Sequence, residues 1–442
     1  MRKVLIVAYY FPPSGGPGVQ RVLKFVQYLR QFNWEPVVLT VRDGTFPARD
    51  ESLLEDIPED VRVSRTEIFE PYDLYRKLTG KKKSDGIDVN TLREKGAKIP
   101  LSERLSEFIR ATFFIPDARM GWRRYALREG LRVIAEEGID AIYSSSPPYT
   151  CSMIARDLKR KTGLPWIAGF RDPWTGFLTT PDRWTIPAAI DKKMERSVFE
   201  EADLIDVAWK GIAEDALSKY PHLDQNKFHH LPNGFDGNDF PDISTSDRSD
   251  NRFTVTYTGS MYGLRTPREF LQAVEELIER GDVDPKMIRL RFIGRFGDEV
   301  HAMFQGFSSQ DVIEVEGYMA HSESIKQLFY SDALLLVVDT TADSAEIVPG
   351  KVYEYIGTLR PVIAIAPEHG AIADLIAETK AGFVAHQSNV EGIAEAFLQL
   401  YHDHVNRTKS ITPDSEKINR YERKNVTGEL AHLLDKIMSQ KA

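Results

Sequence analysis

A chain of 442 residues is longer than one hydrophobic core usually supports, so two domains are expected. Its net charge of -9 argues against general nucleic-acid binding, and a single cysteine, Cys151, excludes an internal disulfide framework or a cysteine metal cluster and fits a reducing compartment. No apolar run reaches the ~18 residues needed to cross a bilayer, which predicts a cytoplasmic protein, free or peripheral on the inner face of the membrane.

In chain order, Lys3 to Tyr10 reads as a strand rather than a secretion signal, because Pro12 and Pro13 follow without a small-residue cleavage site. Phe11 to Gly18 is a glycine and proline loop. Val19 to Phe32 is a helix with Val22, Phe25, Val26 and Leu29 inward, and Val37 to Val41 is a second strand. A strand, loop and helix of this kind brings backbone N–H groups to a phosphate; the alternative is a turn that needs positive φ. As a dinucleotide fingerprint it is incomplete, since Gly16 and Gly18 are followed by Arg21 where close helix packing asks for a third glycine.

From about Tyr72 to Arg132 the α/β rhythm breaks. Lys77, Lys81, Lys82 and Lys83 cluster there, and Leu101, Leu105, Phe108, Ile109 and Phe113 form one helical stripe beside Arg104 and Arg110. Phe114, Trp122, Arg123 and Arg124 follow closely. Such a stripe faces either the core or an anionic membrane surface. The rhythm resumes with a strand over Ala141 to Ser144 that ends in SSSPPYT, then Trp166 to Phe170, which ends in FRDPWTGF. Arg171 and Asp172 there are either site residues or a structural ion pair. Leu204 to Ala208 is the next strand, before LPNGFDGNDF.

The second half repeats the alternation, with strands over Phe253 to Thr258, Ile288 to Ile293, Val312 to Val315, Ala333 to Val338, Pro361 to Ala366 and Gly382 to Ala385. Between the fourth and fifth, the stretch Asp343 to Pro367 must hold a helix, with Pro349 and Gly350 in its first turn. Glu346 then falls on the loop at a strand's carboxyl end, where open α/β sheets bind ligands, and Glu354 about one turn into the helix. The helix start and Lys351 offer positive charge to a phosphate. Two acids there would repel a bare phosphate yet accept hydrogen bonds from sugar or ribose hydroxyls, which predicts a nucleotide-sugar site. The one Asp-x-Asp, Asp282 and Asp284, lies in a polar loop before a strand, and the ten histidines show no metal-ligand spacing. No catalytic metal or other cofactor is expected. Val426, Leu430, Leu433, Leu434 and Ile437 make a final amphipathic helix.

Glu346 and Glu354, followed by an apolar helix and a PVIA strand, resemble the signature of the retaining family 4 glycosyltransferases. Pro232, Asn233, Gly234, Asp236 and Phe240 resemble that family's hinge, and Gly15, Gly16 and Gly18 its loop over the donor pyrophosphate. The resemblance implies a GT-B fold: two Rossmann-like domains facing each other across a cleft, over residues 1–238 for the acceptor and 239–418 for the donor, with a helix over 419–442 returning to the first domain. It implies Glu346 on the donor sugar and Glu354 on the ribose, Gly259, Arg265 and Lys351 at the diphosphate, and Gly294, Arg295 and Tyr318 around the base and ribose. Ser260 stands where the family usually has an arginine, and Arg171 with Asp172 where many members have His-Asp. The implied activity is metal-free transfer, with retention, from a UDP- or GDP-sugar to a saccharide or lipid-linked acceptor in cell-surface polysaccharide synthesis. Alternatives are a nucleotide-sugar epimerase, an oxidoreductase of similar architecture, or a non-catalytic sugar-nucleotide-binding protein.

Overall fold

The fold is taken from a computed structural model, which describes residues 1–46, 48–70, 101–177, 180–242, 251–339, 341 and 344–440. The chain forms two compact units, Met1–Asn233 with Arg423–Ala442, and Gly234–Glu422. The first division therefore falls inside the Pro232-Asn233-Gly234 run rather than at 238.

In the first unit the order is β1 Arg2–Ala8, α1 Pro17–Tyr28, β2 Trp34–Val41, β3 Val63–Thr66, α2 Leu101–Phe113, α3 Arg123–Glu137, β4 Ala141–Ser146, α4 Thr150–Thr162, β5 Trp166–Phe170, α5 Thr185–Glu201, β6 Leu204–Val207, α6 Lys210–Lys219 and β7 Phe228–His230. The strands lie parallel in the order β3-β2-β1-β4-β5-β6-β7. Continuous apolar runs are what such a sheet demands, since helices cover both faces. Val4, Leu5, Ile6 and Val7 are all fully buried, alternating between the two cores. One of these cores is closed by the chain's last helix, Arg423–Ser439, which sets Val426, Leu430, Leu433, Leu434 and Ile437 against Val22, Val26 and Leu29.

The second unit runs β8 Phe253–Thr258, α7 Arg268–Glu279, β9 Ile288–Ile293, α8 Asp298–Gly306, β10 Ile313–Glu316, α9 His321–Phe329, β11 Ala333–Val337, α10 Lys351–Gly357, β12 Val362–Ile365, α11 Ala371–Thr379, β13 Gly382–Ala385, α12 Val390–Asn406 and α13 Ser415–Asn419. Its six parallel strands are ordered β10-β9-β8-β11-β12-β13. In each sheet the direction of winding reverses once, between β1 and β4 and between β8 and β11. Crevices outside the carboxyl ends of strands at such reversals are where α/β sheets bind ligands.

The short strands β3 and β7 and the helix α5 were not evident from periodicity. β7 is the three residues Phe-His-His at the sheet edge, too short and too polar to show a pattern. The α2 stripe is not uniformly inward: Phe108 and Phe113 are 55% and 71% exposed, while Ile109 packs against Ala118. Lys77, Lys81, Lys82 and Lys83 lie outside the described residues, as do the side chains of Leu101, Arg104 and Leu105.

Candidate functional site

The reversal point of the second sheet gathers most of the residues that the sequence singled out there. β8 ends at Thr258, and Gly259 turns the chain with φ 115°. Gly294, at the end of β9, has φ 147°, and a Cβ on it would stand 1.9 Å from the Gly259 carbonyl oxygen. The two loops thus meet backbone to backbone, which only glycine permits. Beyond the turn, Arg265 reaches the end of β11 and pairs with Asp339: Nη2 donates to Oδ2 at 3.0 Å and Nε stands 2.9 Å from Oδ1.

Lys351, the first residue of α10, is half-buried beneath the same turn. Its Nζ donates to the Thr258 carbonyl at 2.7 Å and stands 3.8 Å from the centre of the Tyr257 ring. Burial, with the nearby Arg265 charge, pushes this amine well below the usual lysine range, against the opposing pull of Glu354 and Asp339. The Tyr355 hydroxyl accepts the Thr258 N–H at 2.9 Å, and the Tyr257 hydroxyl donates to the Ser260 carbonyl at 2.9 Å. Arg265, Asp339, Lys351 and Tyr257 are therefore one connected cluster. Glu354, half-buried one turn along α10, stands 2.8 Å from His321 Nε2.

α10 has only seven residues, so the helix-start charge expected from the sequence is small, and Arg265 and Lys351 are the basic side chains at this turn. Glu346 ends a short turn, Ser344–Glu346. That turn rests on the start of α11, where a Cβ on Gly370 (φ 122°) would stand 2.4 Å from the Ala345 carbonyl oxygen. Arg295 and Tyr318, at the ends of β9 and β10, pair with each other, the guanidinium lying 5.1 Å from the ring centre. Tyr318 is 75% exposed, a flat face open to solvent. Sequence reasoning missed Asp339, Tyr257 and His321. Asp339 was findable as the first polar residue after an apolar strand, at its carboxyl end; nothing marked His321, whose role depends on a fold contact with α10.

In the first unit, Gly15 N–H donates to the Ala48 carbonyl at 2.9 Å, and Gly16 adopts φ 97° immediately before α1. Arg171 donates to the Gly18 carbonyl at 2.6 Å and to the Pro147 carbonyl. It joins the loops after β1, β4 and β5, and no ion pair links it to Asp172 among the described residues. The structural alternative for this pair is thereby replaced by a loop-tying arginine. Asp172 makes no side-chain hydrogen bond among the described residues, and burial raises its carboxyl above the usual range, opposed by the Arg171 charge. The loop that carries it is clamped. Tyr149 stacks on Trp174 at 4.5 Å and 13°, the Trp174 N–H donates to Asp191 at 2.8 Å, and Thr175 donates to Glu195 through both N–H and hydroxyl at 3.0 and 2.7 Å.

Arg21 occupies the missing glycine's place for a structural reason. It is buried, donates to both Asp206 oxygens at 2.8 Å and to the Pro232 carbonyl at 2.9 Å, while Tyr143 donates to Asp206 at 2.7 Å. Asp284 caps a short turn before β9, accepting the Lys286 N–H at 2.9 Å, so the Asp-x-Asp lies at the amino end of that strand. Among the described residues no group of three or more His, Cys, Asp or Glu is placed to hold a metal ion, and no helix is long and apolar enough to cross a membrane.

Residues 252–403 match the family described as glycosyl transferases group 1. The match spans Gly259, Arg265, Gly294, Arg295, Tyr318, Glu346, Lys351 and Glu354, all in the second unit, and supports a transferase. No curated protein matches the chain in sequence. Among solved structures, a glycosyltransferase from Rickettsia africae ESF-5 is similar at TM-score 0.60 and 14% identity, covering 99% of this chain and 98% of that one. The apo lipopolysaccharide outer core galactosyltransferase WaaB gives 0.57 and 10% identity over 100% of both chains. A UDP-N-acetylglucosamine 2-epimerase, so described for Listeria monocytogenes, gives 0.52 and 14%, covering 95% of this chain and 94% of that one. At these identities the likeness is one of fold. The chain has the two parallel-sheet Rossmann-like domains of the GT-B class.

Proposed function

We propose that this protein is a retaining, metal-independent glycosyltransferase of family 4 that moves a sugar from a UDP- or GDP-linked donor to a saccharide or lipid-linked acceptor in cell-surface polysaccharide synthesis. The observation that carries this reading is the overlap between the group 1 match over 252–403 and the Arg265, Asp339, Lys351 and Tyr257 cluster at the reversal point of the second sheet. Arg265 and Lys351 hold the diphosphate and stabilise its growing charge as the glycosidic bond breaks. Glu354 accepts from the ribose hydroxyls in competition with His321, and Glu346 accepts from hydroxyls of the donor sugar. Arg295 and the exposed Tyr318 ring offer a stacking face for the base. Asp172 receives or orients the acceptor hydroxyl, its carboxyl being raised by burial against the pull of the Arg171 charge.

A membrane-bound acceptor fits a second feature. Phe113, Phe108, Trp184, Ile186 and Ile190 are exposed on or beside α2 and α5, and Lys192 and Lys193 are exposed on α5. Arg183 joins the two helices, donating to the Ala111 and Phe114 carbonyls at 2.8 Å. Apolar rings beside cations suit an anionic bilayer surface.

The test begins with thermal shift over nucleotides and nucleotide-sugars, where a ligand at 100 times its Kd adds about 2.7 kcal/mol to stability. It continues with nucleoside diphosphate release in the presence of acceptor and chelator. Acceptor-dependent release that survives chelation is expected. Interconversion of the donor sugar without any acceptor would instead make the protein an epimerase.

A further inference from the structure

We propose that Asp339, which neither the family resemblance nor the proposed roles above engage, is a positioning residue for the anion site, acting through Arg265. The inference rests on the reading of the second unit as the donor-binding unit, and it concerns how a chain lacking the family's arginine at Ser260 can still present a cation to a diphosphate.

Arg265 lies far along a loop that contains two glycines at positive φ, Gly259 and Gly263. A long side chain on such a loop would sample many rotamers, and ordering it at the moment of binding would cost affinity. Asp339 removes that freedom. It stands two residues beyond β11, is 8% exposed, and holds Arg265 by one hydrogen bond from Nη2 to Oδ2 at 3.0 Å, with Nε in ion-pair contact 2.9 Å from Oδ1 but not hydrogen-bonded. Beside the Tyr257 hydroxyl, this contact leaves Nη1 without a hydrogen bond to a carboxylate or carbonyl among the described residues, a donor that phosphate oxygens can take. Arg265 comes from the strand on one side of the sheet's reversal and Asp339 from the strand on the other, so their pair spans the crevice where a ligand would enter. Lys351 completes the site from below.

Two other roles make opposite predictions. If Asp339 competed with phosphate for Arg265, its removal would tighten binding. If it served stability alone, its loss would lower the melting temperature and leave affinity alone.

The experiment is calorimetry with UDP and with GDP on the full chain, comparing the wild type with Arg265→Met, Asp339→Asn, the double variant and Asp339→Glu, with a thermal melt for each. Arg265→Met is expected to weaken binding of the preferred nucleotide about ten- to hundredfold, the range for a hydrogen bond to a charged group. Asp339→Asn should lose a similar factor, the double variant no more than the worse single, and Asp339→Glu should recover part of the loss. Wild-type or tighter binding by Asp339→Asn would overturn the proposal, as would losses that multiply in the double variant. Should Asp339→Asn fail to fold, Asp339→Ala in its place and Arg265→Met decide: unaltered affinity in either overturns it. Binding of neither nucleotide by the wild type would defeat the donor-site reading and this inference with it, whereas wild-type binding that Arg265→Met leaves unchanged would defeat this inference and the role given to Arg265 while leaving the donor-site reading standing.

Discussion

Two acids in the second unit carry opposite expectations. Glu354→Ala should weaken nucleoside diphosphate binding about tenfold or more by removing an acceptor for the ribose, with the fold intact, since its partner His321 is itself exposed; calorimetry with UDP and GDP reads this. Glu346→Gln should lower turnover far more than it lowers affinity for the free nucleoside diphosphate, because a sugar contact cannot act on a ligand without the sugar and strengthens as the anomeric centre becomes cationic. An equal fall in both would remove Glu346 from the sugar.

The buried ionisable side chains give pH signatures of definite sign. Asp172 is raised by burial, so between the unfolded value, about 3.9, and its folded value the native state holds the extra proton. Stability therefore falls as pH rises across that window, and the cost persists at neutral pH. Asp172→Asn should then melt higher than the wild type at pH 7 while turning over more slowly. Lys351 is lowered, so from its folded value up to about 10.4 the unfolded chain holds more protons and stability rises with pH. Lys351→Met should flatten that rise. A diphosphate favours the charged amine, so its binding should weaken as pH rises through the same window and take up a proton, seen as a buffer-dependent heat.

At the level of elements, the sequence located most of the second sheet to within a residue or two, because buried parallel strands are short apolar runs with sharp polar ends. Phe253–Thr258, Ile288–Ile293 and Gly382–Ala385 show this. Edge strands and amphipathic helices carry weaker signals, and β3, β7 and α5 show that in turn. Side-chain partners were least legible: that Arg171 would choose two carbonyls over its neighbouring acid depends on three loops meeting, which no local pattern encodes. The exposed rings on α2 and α5 make an element-scale prediction. The protein should sediment with anionic vesicles at low salt and release at high salt, and Phe113→Ser with Trp184→Ser should reduce binding without changing the melt; failure to sediment at low salt would leave these rings without a membrane role.

For the whole molecule, transfer should continue in excess chelator, since the proposed phosphate contacts are Arg265 and Lys351; abolished activity would require a metal. The Arg21, Asp206 and Tyr143 triad also bears on what this scaffold could become. Converting the first loop to a nicotinamide-binding one takes, on paper, a single codon change from arginine to glycine. Here that change would leave the Asp206 carboxylate charged and fully buried without its partner, a loss on the order of 3 to 5 kcal/mol. Marginal domains have little more than that to lose, so Arg21→Gly should be recovered mostly insoluble. Arg21 is held at the third fingerprint position by the buried Asp206 it neutralises and not by the loop it follows.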